Sequence, residues 1–271
     1  MALKIGVQNL EPLATAFVRF ALVLLVCLPW LRWLPGKMPL IFVTALVSGA
    51  GYHALNANGF SLADNVSALA IAGQLGVPFS IIMAAIFLRE RIAWKQALGI
   101  TLALAGVSVI TFDARVFDER LGLLLAVMAC AVWAVGNLLF RHLKTVPVMT
   151  IHGWLALISL PVLGLTSLVA EPGALAGAID LPPNVWGWFA FSAFGSSILG
   201  NVGMSWLLQR YPVGTVLPLT IPSPILLVVF AMIAFNTPLT AELVIGGLIT
   251  LAGIWVIIVQ MSKPQPDPKL A

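Results

Sequence analysis

The chain has 271 residues, 61% of them hydrophobic and 9% charged, where an ordinary soluble protein carries about 25% charged residues. So few charges cannot cover a water-facing surface, which excludes a soluble α/β domain. The net charge of +4 is modest and its basic residues are scattered over short loops, which excludes the clustered basic footprint of a nucleic-acid binder.

Residues 1–11 form a short mixed segment in which Ala2 to Leu10 has the character of the last turns of a helix, with no apolar signal-peptide core. Apolar runs then follow at 12–31, 39–60, 66–88, 92–112, 121–140, 146–170, 185–208, 213–235 and 239–260. Each approaches the ~20 residues that carry a helix across about 30 Å of hydrocarbon. A chain in lipid must satisfy its own N–H and C=O groups, so only helices and closed barrels span. A barrel would show alternating segments of about ten residues; these runs are continuous and longer. The expectation is an all-α membrane protein with nine clear spans. Cys27 and Cys130 lie inside apolar runs and read as small buried hydrophobes. Residues 262–271 hold three prolines and read as a disordered cytoplasmic tail.

Alternating the turns puts Arg32, Lys37, Arg89, Arg91, Lys95, Arg141, Lys144, Arg210, Lys263 and Lys269 on one side, and Lys4, Arg115 and Arg120 on the other. The acids lean the opposite way. The base-rich side is then cytoplasmic, with the C-terminus inside and, for nine spans, the N-terminus outside.

An internal repeat is visible. Gly99 and Gly106 in the fourth span and Gly246 and Gly253 in the ninth share a G-x6-G pattern at an offset of 147. Pro78 of the third span falls near Pro222 and Pro224 of the eighth. The third-to-fourth turn and the eighth-to-ninth turn lie on opposite sides, so the halves carry similar sequence with inverted topology. That requires an odd number of spans per repeat, five each, divided as 1–120 and 121–261. Such inverted halves are the architecture of secondary transporters.

Polar residues inside spans are the candidate cavity: His53 and Asn56 in the second, Gln74 in the third, Asn137 in the fifth, His152 and Trp154 in the sixth, Asn201 with Ser196, Ser197 and Ser205 in the seventh. The serines read mainly as helix-to-helix glue. Arg19 lies a turn or two inside its span, either a fixed positive charge attractive to a carboxylate or a side chain snorkelling to the headgroups. Pro78, Pro218, Pro222 and Pro224 mark interrupted central helices. No H-E-x-x-H, phosphate-cradling loop or C-x-x-C is present, so no enzyme, metal or cofactor is expected.

The stretches LEPLATAFVRF (10–20), FLRERIAWKQALGITLALAGVSVI (87–110), MACAVWAVGNLLFR (128–141) and GGLITLAGIWVI (246–257) resemble the EamA-like transporters of the drug/metabolite transporter superfamily. The resemblance implies a ten-helix bundle of two inverted five-helix repeats. It also implies export of small metabolites, often amino-acid-like, from a bacterial inner membrane, and a cavity lined by spans two, three, seven and eight. It places Asn56, Gln74, Asn201 and 218–224 near substrate and makes Glu90 a structural cap. Lys4 stands where the family's first helix ends in lysine, and Trp133 with Gly136 matches its tryptophan-glycine opening in the second half, so the first helix is expected to be truncated. Partners are a small-molecule substrate and the bilayer, with protons and a second copy of the chain as open additions. Multidrug or sugar-phosphate transport, and a scaffold or channel without coupling, are the alternatives; phosphate-bearing substrates would want more cavity bases than Arg19 and Lys4.

Overall fold

The computed structural model describes residues 2–113, 119–210, 222–235 and 240–261. A short helix, α1 (Ala2–Asn9), precedes α2 (Pro12–Trp30), α3 (Met38–Ser61), α4 (Val66–Leu88), α5 (Trp94–Thr111), α6 (Arg120–Arg141) and α7 (Val148–Ala170). A one-turn helix, Ala174–Gly177, leads to α8 (183–210), then α9 (Pro222–Phe235) and α10 (Ala241–Met261). Seven of these, α2 to α7 and α10, are long and apolar enough to cross a bilayer, among the described residues. The expected seventh span is helical over 183–210, but its glycines, serines and asparagine dilute its hydropathy below the other spans. The expected eighth is described only from Pro222, and the tail 262–271 and Pro218 lie outside the described residues.

Helices α5 and α10 form the tightest crossing. An added Cβ at Gly99 would meet Gly253 O at 2.7 Å, and one at Gly253 would meet Gly99 O at 2.5 Å. Gly106 and Gly246 face each other in the same way at 2.5 Å. Since 99 sits by 253 and 106 by 246, the two helices run antiparallel. With no side chain between them the backbones touch, which is how apolar helices associate where no hydrophobic force separates them from lipid. Two further antiparallel crossings repeat the scheme. Gly59 and Gly122 join α3 to α6, each Cβ position lying within 3.0 Å of the other's carbonyl. Gly153 of α7 packs on Cys27 of α2, with Thr150 Oγ1 donating to Trp30 O at 2.9 Å.

The buried apolar residues fall into groups that follow these crossings. Leu75, Ile110, Leu123, Leu243 and Ile258 hold α4, α5, α6 and α10 together; Phe20, Val23, Ala50, Ala156 and Ala193 hold α2, α3, α7 and α8. Phe112, Leu165, Val169, Ile233 and Leu248 point outward and exposed, which costs nothing against acyl chains.

Two helices are not regular. Helix α3 widens into a π-helical turn at Ala45–Gly51, and α8 does so at Ser192–Val202. Ala45 and Ser192, which open these turns, stand 147 residues apart, as do Gly99 and Gly246. Nothing in the amino-acid pattern distinguished either turn from ordinary helix. Helix α4 tightens instead, into a 3₁₀ turn at Gly73–Leu75, and Pro78 follows at the third position of the renewed helix, where a missing N–H breaks no helical bond.

The polar ties respect two faces. On one, Lys4 meets Asp64, Glu119 accepts from Asn65 N at 2.9 Å, Asp113 accepts from Thr240, and Glu171 caps α2. On the other, Arg141 pairs with Glu90 and Trp154 bonds Arg32 O. The acids concentrated on the first face therefore hold helix ends. Glu90 is not a cap: it pairs with Arg141 at 3.0 Å, while Gln96 Oε1 takes Ala93 N at 3.0 Å and closes the start of α5. Arg89 ends α4 in the left-handed region, φ 56°.

Candidate functional site

Arg19 is the one charged side chain of α2. The helix begins at Pro12, where proline's missing N–H is harmless. The Glu171 carboxylate completes that start, accepting from Leu13 N at 2.8 Å and Ala14 N at 2.9 Å. Seven residues on, about 10 Å deeper at 1.5 Å per residue, Arg19 is 8% exposed. Its Nε and Nη2 both donate to Ser197 Oγ, at 3.0 and 2.8 Å, and Nη2 reaches Ser196 Oγ at 3.5 Å. Ser197 Oγ donates onward to Ser192 O at 3.3 Å. Both serines belong to the π-helical turn of α8. Lys4–Asp64 and Arg141–Glu90 are the ion pairs among the described residues, so no described carboxylate neutralises Arg19.

Helix α3 supplies the opposite wall. Tyr52 and His53 are the first residues after its π turn. His53 stands edge-on between Phe20, at 4.8 Å, and Tyr52, at 4.7 Å. Phe20 adjoins Arg19 in α2, so this ring contact brings His53 beside the arginine's helix. His152 of α7 stacks on Phe140 at 6.1 Å. Its Nε2 and the Oγ of Ser48, in the α3 π turn, are the buried side-chain polar atoms without a hydrogen bond among the described residues. Ser48 packs against Gly136 of α6, one helical turn before Phe140, so the two orphaned atoms share one face of α6. An unmade bond in a buried setting costs about 1–3 kcal/mol.

The other expected residues divide. Asn56 on α3, Gln74 in the α4 3₁₀ turn and Asn201 in the α8 π turn carry amides that no described residue bonds. Asn137 Nδ2 donates to Ser80 Oγ at 3.3 Å and ties α6 to α4. Trp154 is drawn away from the cluster: its Nε1 donates to Arg32 O at 2.9 Å, and its ring meets Trp33 edge-on at 5.8 Å, at the base-rich face. Pro78 is buried in α4, and Pro222 opens α9. Lys4 is spent elsewhere, its Nζ donating to Phe60 O, Ala63 O and Asp64 Oδ1. Sequence reasoning passed over Ser48 and Tyr52 and took Ser197 for glue. The only signal for them was a hydroxyl within a span, and glue hydroxyls share it.

Apolar helices long enough to cross a bilayer, joined through glycine contacts around a buried arginine, define a polytopic membrane protein. The comparisons with known proteins give its family. The profile described as the EamA-like transporter family matches residues 1–112 and, a second time, residues 120–259; the chain belongs to that family. It is 27% identical to an uncharacterized transporter of Archaeoglobus fulgidus over 95% of this chain and 92% of the relative. It is 26% identical to a probable amino-acid metabolite efflux pump of Escherichia coli over 94% of this chain and 88% of the relative. The same figures hold for a pump of that description from Salmonella typhimurium. A crystal structure 18% identical superposes with a TM-score of 0.67 over 94% of this chain and 91% of that one, which shows a shared fold.

Proposed function

We propose that the protein exports small metabolites of amino-acid type across a bacterial inner membrane, by alternating access of two inverted five-helix repeats, 1–120 and 121–261. The observation that carries this reading is the α5–α10 crossing. Ala103 and Thr250, 147 apart, meet there across antiparallel backbones, flanked by the Gly99–Gly253 and Gly106–Gly246 contacts, and the π turns of α3 and α8 recur at that same offset. Two similar units packed antiparallel can exchange shapes around a site between them, and π-helical distortions gather where helices bend for function. The repeated match of the family profile supports the same division.

The central site then lies between α2, α3, α7 and α8, with Arg19, Ser197, Tyr52, His53, Ser48 and His152 around it, Asn56 and Asn201 as further lining, and Gln74 of α4 at its edge. The base-rich face, with Arg32, Arg89 and Arg141, is cytoplasmic. The test is counterflow in proteoliposomes with a panel of labelled amino acids, with and without an imposed pH gradient. Saturable exchange that builds transiently above equilibrium supports alternating access, and its response to the gradient reports whether protons couple. Leak that follows concentration without saturation would make the protein a channel and end the carrier reading. Single cysteines at Asp64 and Arg89 should label from opposite sides of the bilayer.

A further inference from the structure

The geometry points to the end-on fork of Arg19, Nη1 and Nη2, as the docking point for a single carboxylate on the transported molecule. The inference rests on the transport reading above and adds the chemical class of the substrate and the atoms that receive it.

A guanidinium presents two forks, Nε with Nη2 and Nη1 with Nη2. The first is filled, because Ser197 Oγ takes both of its donors at 3.0 and 2.8 Å. The second meets only Ser196 Oγ, at 3.5 Å from Nη2, and Nη1 bonds no described residue. Ser197 is itself fixed by its bond to Ser192 O. The side chain is therefore held by one edge and presents the other. A charged group this deep in a span is costly to keep, and hydroxyls return little of that cost. A carboxylate on the open fork makes two parallel charge-assisted bonds and cancels the charge.

The valence follows from what lies nearby. Lys4, the other buried base among the described residues, already donates to Phe60 O, Ala63 O and Asp64. One free positive charge matches a monoanion and leaves a phosphate dianion half neutralised. The site is also polar in direction. The position 147 residues after Arg19 is Thr166, whose Oγ1 turns back onto its own helix at Val162 O, 2.8 Å, and Leu163 O, 3.1 Å. Among the described residues Arg19 thus has no cationic counterpart at the repeat-related position, so the substrate enters with its carboxylate toward α2 and α8 and its remainder toward α3 and α7.

The experiment uses the full chain in proteoliposomes and in detergent. The probes are neutral α-amino acids, each with its amide and methyl ester, together with phosphoethanolamine, which carries a phosphate and no carboxylate. Acids should compete in counterflow and raise the melting temperature of the wild type, while amides, esters and phosphoethanolamine should do neither. Arg19→Gln should reduce transport about 10-fold or more, the scale of a lost charge-assisted bidentate contact, and Arg19→Lys should recover part of it. Ser197→Ala tests positioning: it should raise KM for the acids and narrow the preference for acid over ester. The ligand-induced melting shift on the wild type stands even if an Arg19 variant fails to fold. A wild type that exchanges esters or phosphoethanolamine as readily as acids, or an Arg19→Gln variant with undiminished exchange, overturns the assignment and leaves the carrier intact. A wild type that exchanges nothing in the panel and shows no melting shift overturns the assignment, and an inert response to further solute classes would take the carrier reading with it.

Discussion

Thr250 and Ala103 stand 147 positions apart in the sequence and touch in the fold, the threonine Oγ1 lying 3.5 Å from the alanine carbonyl oxygen. Residues related by a repeat meet only where the symmetry axis passes between them. Gly99 with Gly253 and Gly106 with Gly246 flank this contact on either side, so a local two-fold axis runs through the α5–α10 crossing. The absence of side chains keeps that crossing close, and this gives the first prediction.

Gly106→Ala should destabilise the protein out of proportion to one methyl group. The new Cβ would stand 2.5 Å from Gly246 O and from Thr250 N and against Thr250 Oγ1. Two of these are backbone and cannot rotate aside, so the helices must part. Overpacking of this kind costs about 1–3 kcal/mol. Gly187→Ala is the control: it lies in the helical stretch Pro183–Phe191 with nothing within 4 Å, and alanine there should gain up to about 1 kcal/mol of helix propensity. Melting temperatures in one detergent should move in opposite directions. Equal shifts would show that the crossing is not tight.

Lys4 and Asp64 form an ion pair of unequal members. The lysine side chain is 3% exposed and the aspartate side chain 92%. Lys4 also serves Phe60 O, in the last turn of α3 where the helix has no donors of its own, and Ala63 O just beyond it. Lys4→Met should therefore cost about 2–3 kcal/mol by leaving those acceptors without a charged donor. Asp64→Ala should leave the melting temperature nearly where it was, since exposed ion pairs contribute little. Similar losses for the two variants would mean that the charge pair, and not the carbonyls, holds Lys4 in place.

Glu171 caps a helix from 157 residues away, by sequence separation to Ala14. Two α2 amides and Ser167 Oγ converge on its carboxylate. Glu11, the residue that precedes α2 directly, makes no side-chain cap bond. Glu171→Ala should cost about 1–2 kcal/mol, as cap removal does, and Glu11→Ala should cost almost nothing. A chemical or thermal unfolding series on the two variants separates a distant cap from a local one.

How far the sequence revealed this structure depends on the kind of signal each feature leaves. Span positions came through because twenty apolar residues in a row admit few readings, and, apart from the eighth, whose start lies outside the described residues, the observed helices begin and end within a few residues of the expected ones. The G-x6-G repeat came through because close approach of two backbones requires glycine, and that requirement is written in residue type. Trp154 did not: its helix position suited a cavity wall, but the deciding partner is a carbonyl, Arg32 O, and carbonyls have no identity in a sequence. The π turns left no mark, since the same small residues serve regular helix equally well. Arg19 stood out as a charge within a span, while its anchorage on Ser197 depended on the wide turn of α8 and could only be seen in three dimensions.

Ser48 and His152 offer a way to separate function from fold at the far end of the site. Oγ of Ser48 and Nε2 of His152 are buried and bond no described residue. A hydroxyl in that state costs stability, so Ser48→Ala should hold the melting temperature or raise it, by up to about 1 kcal/mol in stability. His152→Phe should behave likewise, because a phenyl ring can keep the stack on Phe140 that now stands at 6.1 Å while removing the nitrogen. If these atoms wait for the polar end of a substrate, both variants should lose transport several-fold while keeping or gaining stability. Counterflow and melting measured on the same preparations decide the matter. Loss of stability together with transport would assign both residues to packing, and transport unchanged in both would move the substrate's polar end elsewhere in the bundle.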